Sequence, residues 1–212
     1  MDNHFTKETS FSRFNILAKE WDSKPQRVES AMKFVEHIKG NVNKDIKSYH
    51  ILDYGCGSGL VSFGFGNDVK LVTGLDYSIG MVERYNEKSK ELNLSHLKAI
   101  KHNINEESLD SNKYDLIVTN MTMHHIKDIS DFVYKLKDGL KKDGELYIAD
   151  LSTEDGTFHS MGNEDVEHLG FKKEYIIDIF NDVGLKNIKY NILQTIKKED
   201  NSYPIFVISG KK

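Results

Sequence analysis

Two sets of residues in this chain have the types and spacing to do chemistry. The first is Asp53-Tyr54-Gly55-Cys56-Gly57-Ser58-Gly59, an acid followed by three glycines at alternate positions, with a second acid, Asp76, further on. Glycine lacks a Cβ, takes positive φ and lets a ligand lie against bare backbone. The helix start that follows offers unpaired N–H donors to the same ligand. A nucleotide-like cofactor is the first hypothesis, and spacing decides which. The dinucleotide fingerprint needs a glycine three residues after the second, and Leu60 stands there instead, so the nicotinamide pattern fails.

The second set is made of histidines: the adjacent His124 and His125, and His159 in a later polar stretch. Imidazole titrates near neutrality, so each is a candidate catalytic base for a substrate that must lose a proton. Each also has a plainer reading. His124 and His125 follow a strand, where a histidine commonly packs or bonds to backbone. His159 and His168 are open to a substrate contact, a metal pair with Glu154 or Asp155, or simple solvation. Their spacing is too loose to name a zinc site, and no metal is expected.

These residues need elements to hold them. Tyr49 to Leu52 reads as a short strand ending at Asp53, and Val69 to Leu75 as a buried strand closed by Asp76. Further strands are expected at Leu97 to Lys101, Lys113 to Asn120 and Glu145 to Asp150, with a closing pair at Lys186 to Thr195 and Tyr203 to Ser209. Helices are expected at Leu60 to Phe65, ended by Gly64 and Gly66, and at Ser78 to Leu92, Asp131 to Leu140 and Lys172 to Val183. In the last of these Tyr175, Ile176, Ile179 and Phe180 read as inward. Two more precede the first strand, one carrying Phe11, Phe14, Leu17 and Trp21, the other Val28, Ala31, Met32, Val35 and Ile38. Strands alternating with helices predict an α/β fold on a mostly parallel twisted sheet with helices on both faces.

With 212 residues and no internal repeat, linker or low-complexity segment, the chain reads as one domain. It divides into an N-terminal helical cap over 1–45, a cofactor-binding core over 46–150, a substrate-side loop over 151–171, and a terminal helix and strand pair over 172–212. A net charge of -4 argues against a large nucleic-acid footprint. The single cysteine, Cys56, excludes an intrachain disulfide and fits a reducing compartment. No apolar run reaches the length of a membrane span and the N-terminus lacks a signal-peptide core, so a cytoplasmic location with no membrane partner is expected.

The acid and three alternating glycines, with Asp76 closing the next strand, resemble the first motifs of class I S-adenosylmethionine-dependent methyltransferases. The resemblance implies a Rossmann-like seven-stranded sheet of order 3-2-1-4-5-7-6 with the last strand antiparallel, and an N-terminal helical lid. It implies S-adenosyl-L-methionine as cofactor and S-adenosyl-L-homocysteine as product. Asp76 would bind the ribose hydroxyls. Asp53, Gly55, Cys56, Gly57 and Gly59 would form the bend under the cofactor. Asn103 and Ile104 would neighbour the adenine, an asparagine standing where the family more often has aspartate. Tyr77, Met81, Asn120, Met121 and Trp21 would complete the surroundings, Trp21 from the lid.

The run Asn120-Met121-Thr122-Met123-His124-His125-Ile126 resembles the post-strand segment of small-molecule methyltransferases and lacks the two prolines of the amino-group and adenine-N6 branch. The expected partner is therefore a small-molecule methyl acceptor. A protein or RNA acceptor, an oxidoreductase, and a non-catalytic cofactor-binding protein are the alternatives. The oligomeric state is not legible.

Overall fold

The structure is a computed structural model that describes residues 13–42, 45–159, 163 and 165–212. Phe11, expected on the first apolar stripe, lies outside them.

The sheet is built first by apolar alternation. Strands β1 (His50–Tyr54), β2 (Leu71–Asp76), β3 (Leu97–Lys101), β4 (Tyr114–Asn120), β5 (Leu140–Leu151), β6 (Lys186–Lys198) and β7 (Asn201–Lys211) pair in the order β3-β2-β1-β4-β5-β7-β6. The pairings from β3 to β5 are parallel, while β7 runs antiparallel to both β5 and β6. Successive residues of a strand face opposite sides. Ile51, Leu116, Val118, Tyr147 and Ala149 therefore meet one helical layer, and Leu52, Ile117, Leu146 and Ile148 the other.

The first layer is α1 (Pro25–Asn41), α2 (Leu60–Phe65) and α3 (Ile79–Glu91), which contribute Phe34, Val35, Ile38, Phe65 and Tyr85. The second is α4 (Ile129–Gly139) and α5 (Lys173–Asp182), with Phe132, Leu136, Ile179 and Phe180. Burying each such side chain is worth about 1.5–3 kcal/mol, so the two layers fix the sheet on which the loops stand. Helix starts follow local chemistry. Pro25 sits in the first turn of α1. The Ser78 hydroxyl accepts the Met81 N–H at the start of α3, and the Asp128 carboxylate accepts the Asp131 N–H at the start of α4.

The expected strand order, the antiparallel last strand and the N-terminal helices are all present. Four details differ. The first helix is α-helical over residues 13–17 and then tightens into a 3-10 segment, Ala18–Ser23. Gly64 lies inside α2, and the turn comes at Gly66 with φ of 53°. Strand β5 begins at Leu140, and the Lys142-Asp143-Gly144 turn survives within it as a left-handed Asp143 at φ 63°. Tyr175 is 47% exposed, because the buried stripe of α5 is Ile176, Ile179 and Phe180, and Tyr175 falls at its edge. No helix among the described residues is long and apolar enough to cross a membrane.

Candidate active site

The carboxyl ends of β1, β2, β4 and β5 open on one side of the sheet, the side on which open α/β folds bind ligands. The glycine bend occupies the first of these ends. Its backbone folds onto β2, with the N–H groups of Gly55 and Cys56 both donating to the Leu75 carbonyl at 2.7 and 3.1 Å. Gly55, Gly57 and Gly59 all have positive φ, and the three positions have different surroundings. A Cβ at Gly55 would strike the Thr122 side chain, and one at Gly59 would strike Phe63 and Tyr85. At Gly57 the nearest atoms are Met81 Sδ and Trp21 Nε1, both 4.0 Å away. Gly57 is thus the one residue of the three that leaves backbone bare for a ligand.

The acids divide the work. Asp53 is buried, and its Oδ2 accepts the Ser62 hydroxyl at 2.6 Å and the Ser62 N–H at 3.2 Å. Burial pushes its pKa up to about 7. It ties the bend to α2. Asp76 accepts the Gly57 N–H at 2.7 Å through Oδ2 and the Ser78 N–H at 2.8 Å through Oδ1. Each of its oxygens keeps a further lone pair. Cys56 is buried, its thiol pushed up by burial and then by Asp76 and Asp53, and packs beside Gly74, where a Cβ would come within 2.8 Å of Sγ. It fills space, as a buried free thiol usually does.

Of the other expected cofactor neighbours, Ile104 is buried and donates its N–H to the Tyr54 hydroxyl at 3.1 Å. The Asn103 carbonyl oxygen Oδ1 accepts the Asn105 N–H at 3.1 Å. Tyr77 is exposed at the mouth, with Lys101 over its ring. Met121 holds a left-handed φ of 56° and donates its N–H to Ala149. Asn120 Oδ1 is buried without a partner among the described residues. A buried acceptor left unpaired costs about 1–3 kcal/mol, and a cationic donor would satisfy it.

The N-terminal segment closes over this bend. Asn15 Oδ1 accepts the Ser78 hydroxyl at 2.7 Å and the Gly80 N–H at 2.9 Å. Asp22 accepts from the Ser58 hydroxyl and from Lys88 Nζ. The Trp21 ring is stacked under the Arg27 guanidinium at 3.6 Å. The same segment reaches the histidines, since Phe14 meets the His125 ring edge-on at 5.7 Å, and Arg13 grips both carboxylate oxygens of Asp165 at 3.0 and 2.9 Å.

The histidines converge although His159 is 34 positions or more from the other two. Ring centroids are 4.1 Å apart for His124 and His125, 5.1 Å for His124 and His159, and 6.0 Å for His125 and His159. His124 is buried, with Nδ1 2.7 Å from Asp150 Oδ1, and Asp150 Oδ2 accepts its N–H. His125 Nδ1 lies 2.6 Å from the Asp165 carbonyl oxygen. His159 Nδ1 is buried and unpartnered among the described residues. Burial, reinforced by the neighbouring imidazoles, lowers His125 and His159 to about 4, so both are neutral at pH 7. Burial acts to raise Asp150, but His124 beside it wins and holds the carboxyl below its ordinary value.

The loop after β5 delivers His159, and its base is zipped. Ser152 bridges Phe171, and Gly170 at φ 70° is pressed against the Ser152 carbonyl, where no side chain fits. The pairing of His159 or His168 with Asp155 does not form. Asp155 is exposed and accepts from Thr157, while His168 Nε2 lies 2.9 Å from the Ile126 carbonyl oxygen. Sequence reasoning missed Asn15, Asp22, Lys88 and Asp165, whose partners are distant in the chain. Asp150 carried a signal, an acid at the carboxyl end of a central strand, like Asp76.

A family model described as a methyltransferase domain matches residues 45–208. An uncharacterized methyltransferase of Schizosaccharomyces pombe is 34% identical over 151 residues, covering 65% of this chain and 53% of that protein. A ubiquinone biosynthesis O-methyltransferase of Pelagibacter ubique is 27% identical over 155 residues, covering 66% and 63%. The chain thus spans between about half and two thirds of the length of these curated relatives. Among solved structures, Haemonchus contortus phosphoethanolamine N-methyltransferase 2 in complex with S-adenosyl-L-methionine superposes with a TM-score of 0.70 at 15% identity, over 84% of this chain and 52% of that one.

Proposed function

The chain belongs to the class I S-adenosylmethionine-dependent methyltransferase family, and from that membership we propose that it methylates a small molecule seated against His124, His125 and His159. The observation that carries the cofactor half is Gly57. Its face is bare, its N–H is fixed by Asp76, and the nearest side-chain atoms, of Met81 and Trp21, lie 4.0 Å from where a Cβ would stand. The remaining lone pairs of Asp76 suit ribose hydroxyls, and unpaired Asn120 Oδ1 suits an ammonium group. When bound, S-adenosylmethionine supplies an electrophilic methyl carbon on a sulfonium and leaves as S-adenosylhomocysteine.

The chain's own contribution is placement and water exclusion. Holding a nucleophile in line is worth about 7–11 kcal/mol, and the rigid sheet ends provide the frame. On the acceptor side Phe14 packs edge-on against His125, and His124 is only 1% exposed. A histidine with so little exposed surface favours a small acceptor over a protein or RNA. Neutral imidazoles on that side accept a hydrogen bond from an acceptor hydroxyl, amine or thiol and orient its lone pair toward the bend.

Isothermal titration with S-adenosylmethionine and with NADH tests the cofactor half. Binding of the first without the second is expected, and the reverse would overturn the assignment. Release of S-adenosylhomocysteine across a panel of small hydroxyl, amine and thiol acceptors, set against protein and RNA substrates, tests the acceptor half.

A further inference from the structure

We propose that His124, His125 and His159 form a binding site for one divalent transition-metal ion, of the zinc or cobalt type, on the acceptor side of the cofactor cleft. The proposal deepens the methyltransferase reading and rests on it for the ion's role. The geometry comes first. One ring nitrogen from each residue lies within 4.8 Å of the others. An inward shift of less than about 1 Å apiece brings them to the roughly 2.0–2.1 Å of a metal–imidazole bond.

Two of the rings already have the second contact that metal-bound histidines require. Such a histidine gives its other ring N–H to a carboxylate or a backbone carbonyl, which fixes the tautomer and the ring plane. Here His124 Nδ1 meets the Asp150 carboxylate at 2.7 Å, and His125 Nδ1 meets the Asp165 carbonyl at 2.6 Å. Each ring therefore keeps Nε2 as its lone-pair nitrogen. The third ring is the one with an unmet need, since His159 Nδ1 is buried without a partner among the described residues.

Charge points the same way. The Asp150 carboxylate stands 2.7 Å from His124 Nδ1, and a carboxylate oxygen of Asp165 stands 4.0 Å from His125 Nδ1. Glu154 Oε1 is likewise buried and unpartnered among the described residues, whereas Asp165 is already paired with Arg13. An all-nitrogen set prefers zinc, cobalt, nickel, copper or iron to magnesium or calcium. Three ligands leave a coordination position open, as in catalytic rather than structural sites. An acceptor hydroxyl in that position would have its pKa lowered and pass its proton to water.

The test uses the untagged full chain, freed of metal by a chelator and titrated with Co²⁺ alone. A single site with visible absorption bands of nitrogen-bound cobalt, displaced by Zn²⁺, is expected. His159→Ala, on the loop and away from the core, should weaken Co²⁺ by at least about tenfold, and Asp150→Asn by about 10–100-fold through loss of the orienting contact. The proposal is overturned by the absence of saturable Co²⁺ binding, or by binding that His159→Ala and His125→Ala leave unchanged. S-adenosylmethionine titrated into the metal-free chain gives the separate readout. Retained cofactor binding with no cobalt site refutes the metal alone, whereas loss of cofactor binding strikes the methyltransferase reading.

Discussion

The glycine bend and the histidine cluster stand at neighbouring strand ends and are built on opposite terms. In the bend, the carboxylates of Asp53 and Asp76 are occupied from within one short stretch of chain, Asp53 by Ser62, and Asp76 by Ser78 just after it and by Gly57 of the bend itself. The cluster is held by partners far away in the chain, and among the described residues it retains unpaired buried atoms at His159 and Glu154. A site whose polar groups are satisfied locally is a preformed seat. One with polar atoms left over is completed by what it binds. The same difference sets how each region should answer to substitution.

The largest effect is expected inside the bend. Gly59→Ala combines a left-handed φ of 90° with a Cβ about to meet Phe63 and Tyr85 at 2.5 and 2.6 Å. Overpacking at about 1–3 kcal/mol and left-handed strain at about 1–2 kcal/mol predict a loss of roughly 3 kcal/mol in urea unfolding. Gly57→Ala meets nothing nearer than 4.0 Å. It should lose only about 1–2 kcal/mol of stability, together with most of its S-adenosylmethionine affinity. Equal destabilisation of the two variants would erase the division between a packing glycine and a ligand-facing one.

Next comes Asp76→Ala, which removes an acceptor from the proposed ribose site. A hydrogen bond to a charged group is worth about 1.5–3 kcal/mol, so affinity should fall by about tenfold to a hundredfold in calorimetry. An unchanged dissociation constant would place the sugar elsewhere.

Asp53 predicts a pH dependence that belongs to the bend alone. Its pKa is raised by burial from 3.8 to about 7, so between those values the folded chain holds a proton that the unfolded chain has released. Stability must then fall as pH rises through that window, by up to about 1.4 kcal/mol per pH unit. Asp53→Asn cannot titrate and should lack this slope. The informative quantity is the wild-type minus variant unfolding free energy, measured from pH 4 to 8. A difference that stays flat would mean that Asp53 ionises normally beneath Ser62.

Legibility in the sequence follows the same line. The bend could be read because glycine at alternate positions reports a backbone requirement in place, and Asp76 because the apolar strand before it ends there. Strand positions from β1 to β4 were readable for a similar reason, since β-branched and aliphatic runs bounded by polar residues record burial directly. The strand order came from family resemblance, as crossovers leave no local mark. The convergence of His159 on His124 and His125 could not be read at all. It depends on Gly170 closing the loop base against Ser152, and on Arg13 reaching Asp165 from 152 positions away. Tyr175 misled for a smaller reason, because it borders a helical stripe whose centre is Ile176, Ile179 and Phe180.

Arg13 links the two regions, and the smallest effect is expected from changing how it does so. Its guanidinium bonds both oxygens of Asp165, whose side chain is 4% exposed, from the same segment that latches Asn15 onto Ser78 and Gly80. Both bonds leave the single nitrogen Nη2, so Arg13→Lys keeps the charge and a donor but gives up the planar guanidinium that fixes their direction, a change of about 1 kcal/mol. The loss should appear where the loop is pinned, at the Glu167 and His168 N–H groups that donate to the His124 carbonyl. Their hydrogen exchange should quicken by about fivefold, the factor that about 1 kcal/mol of local opening gives, while the amides of Gly55 and Cys56 on the Leu75 carbonyl keep their rates. Faster exchange at all four amides would mean that the bend and the cluster open together as one unit, and the contrast between a preformed seat and a ligand-completed one would fail.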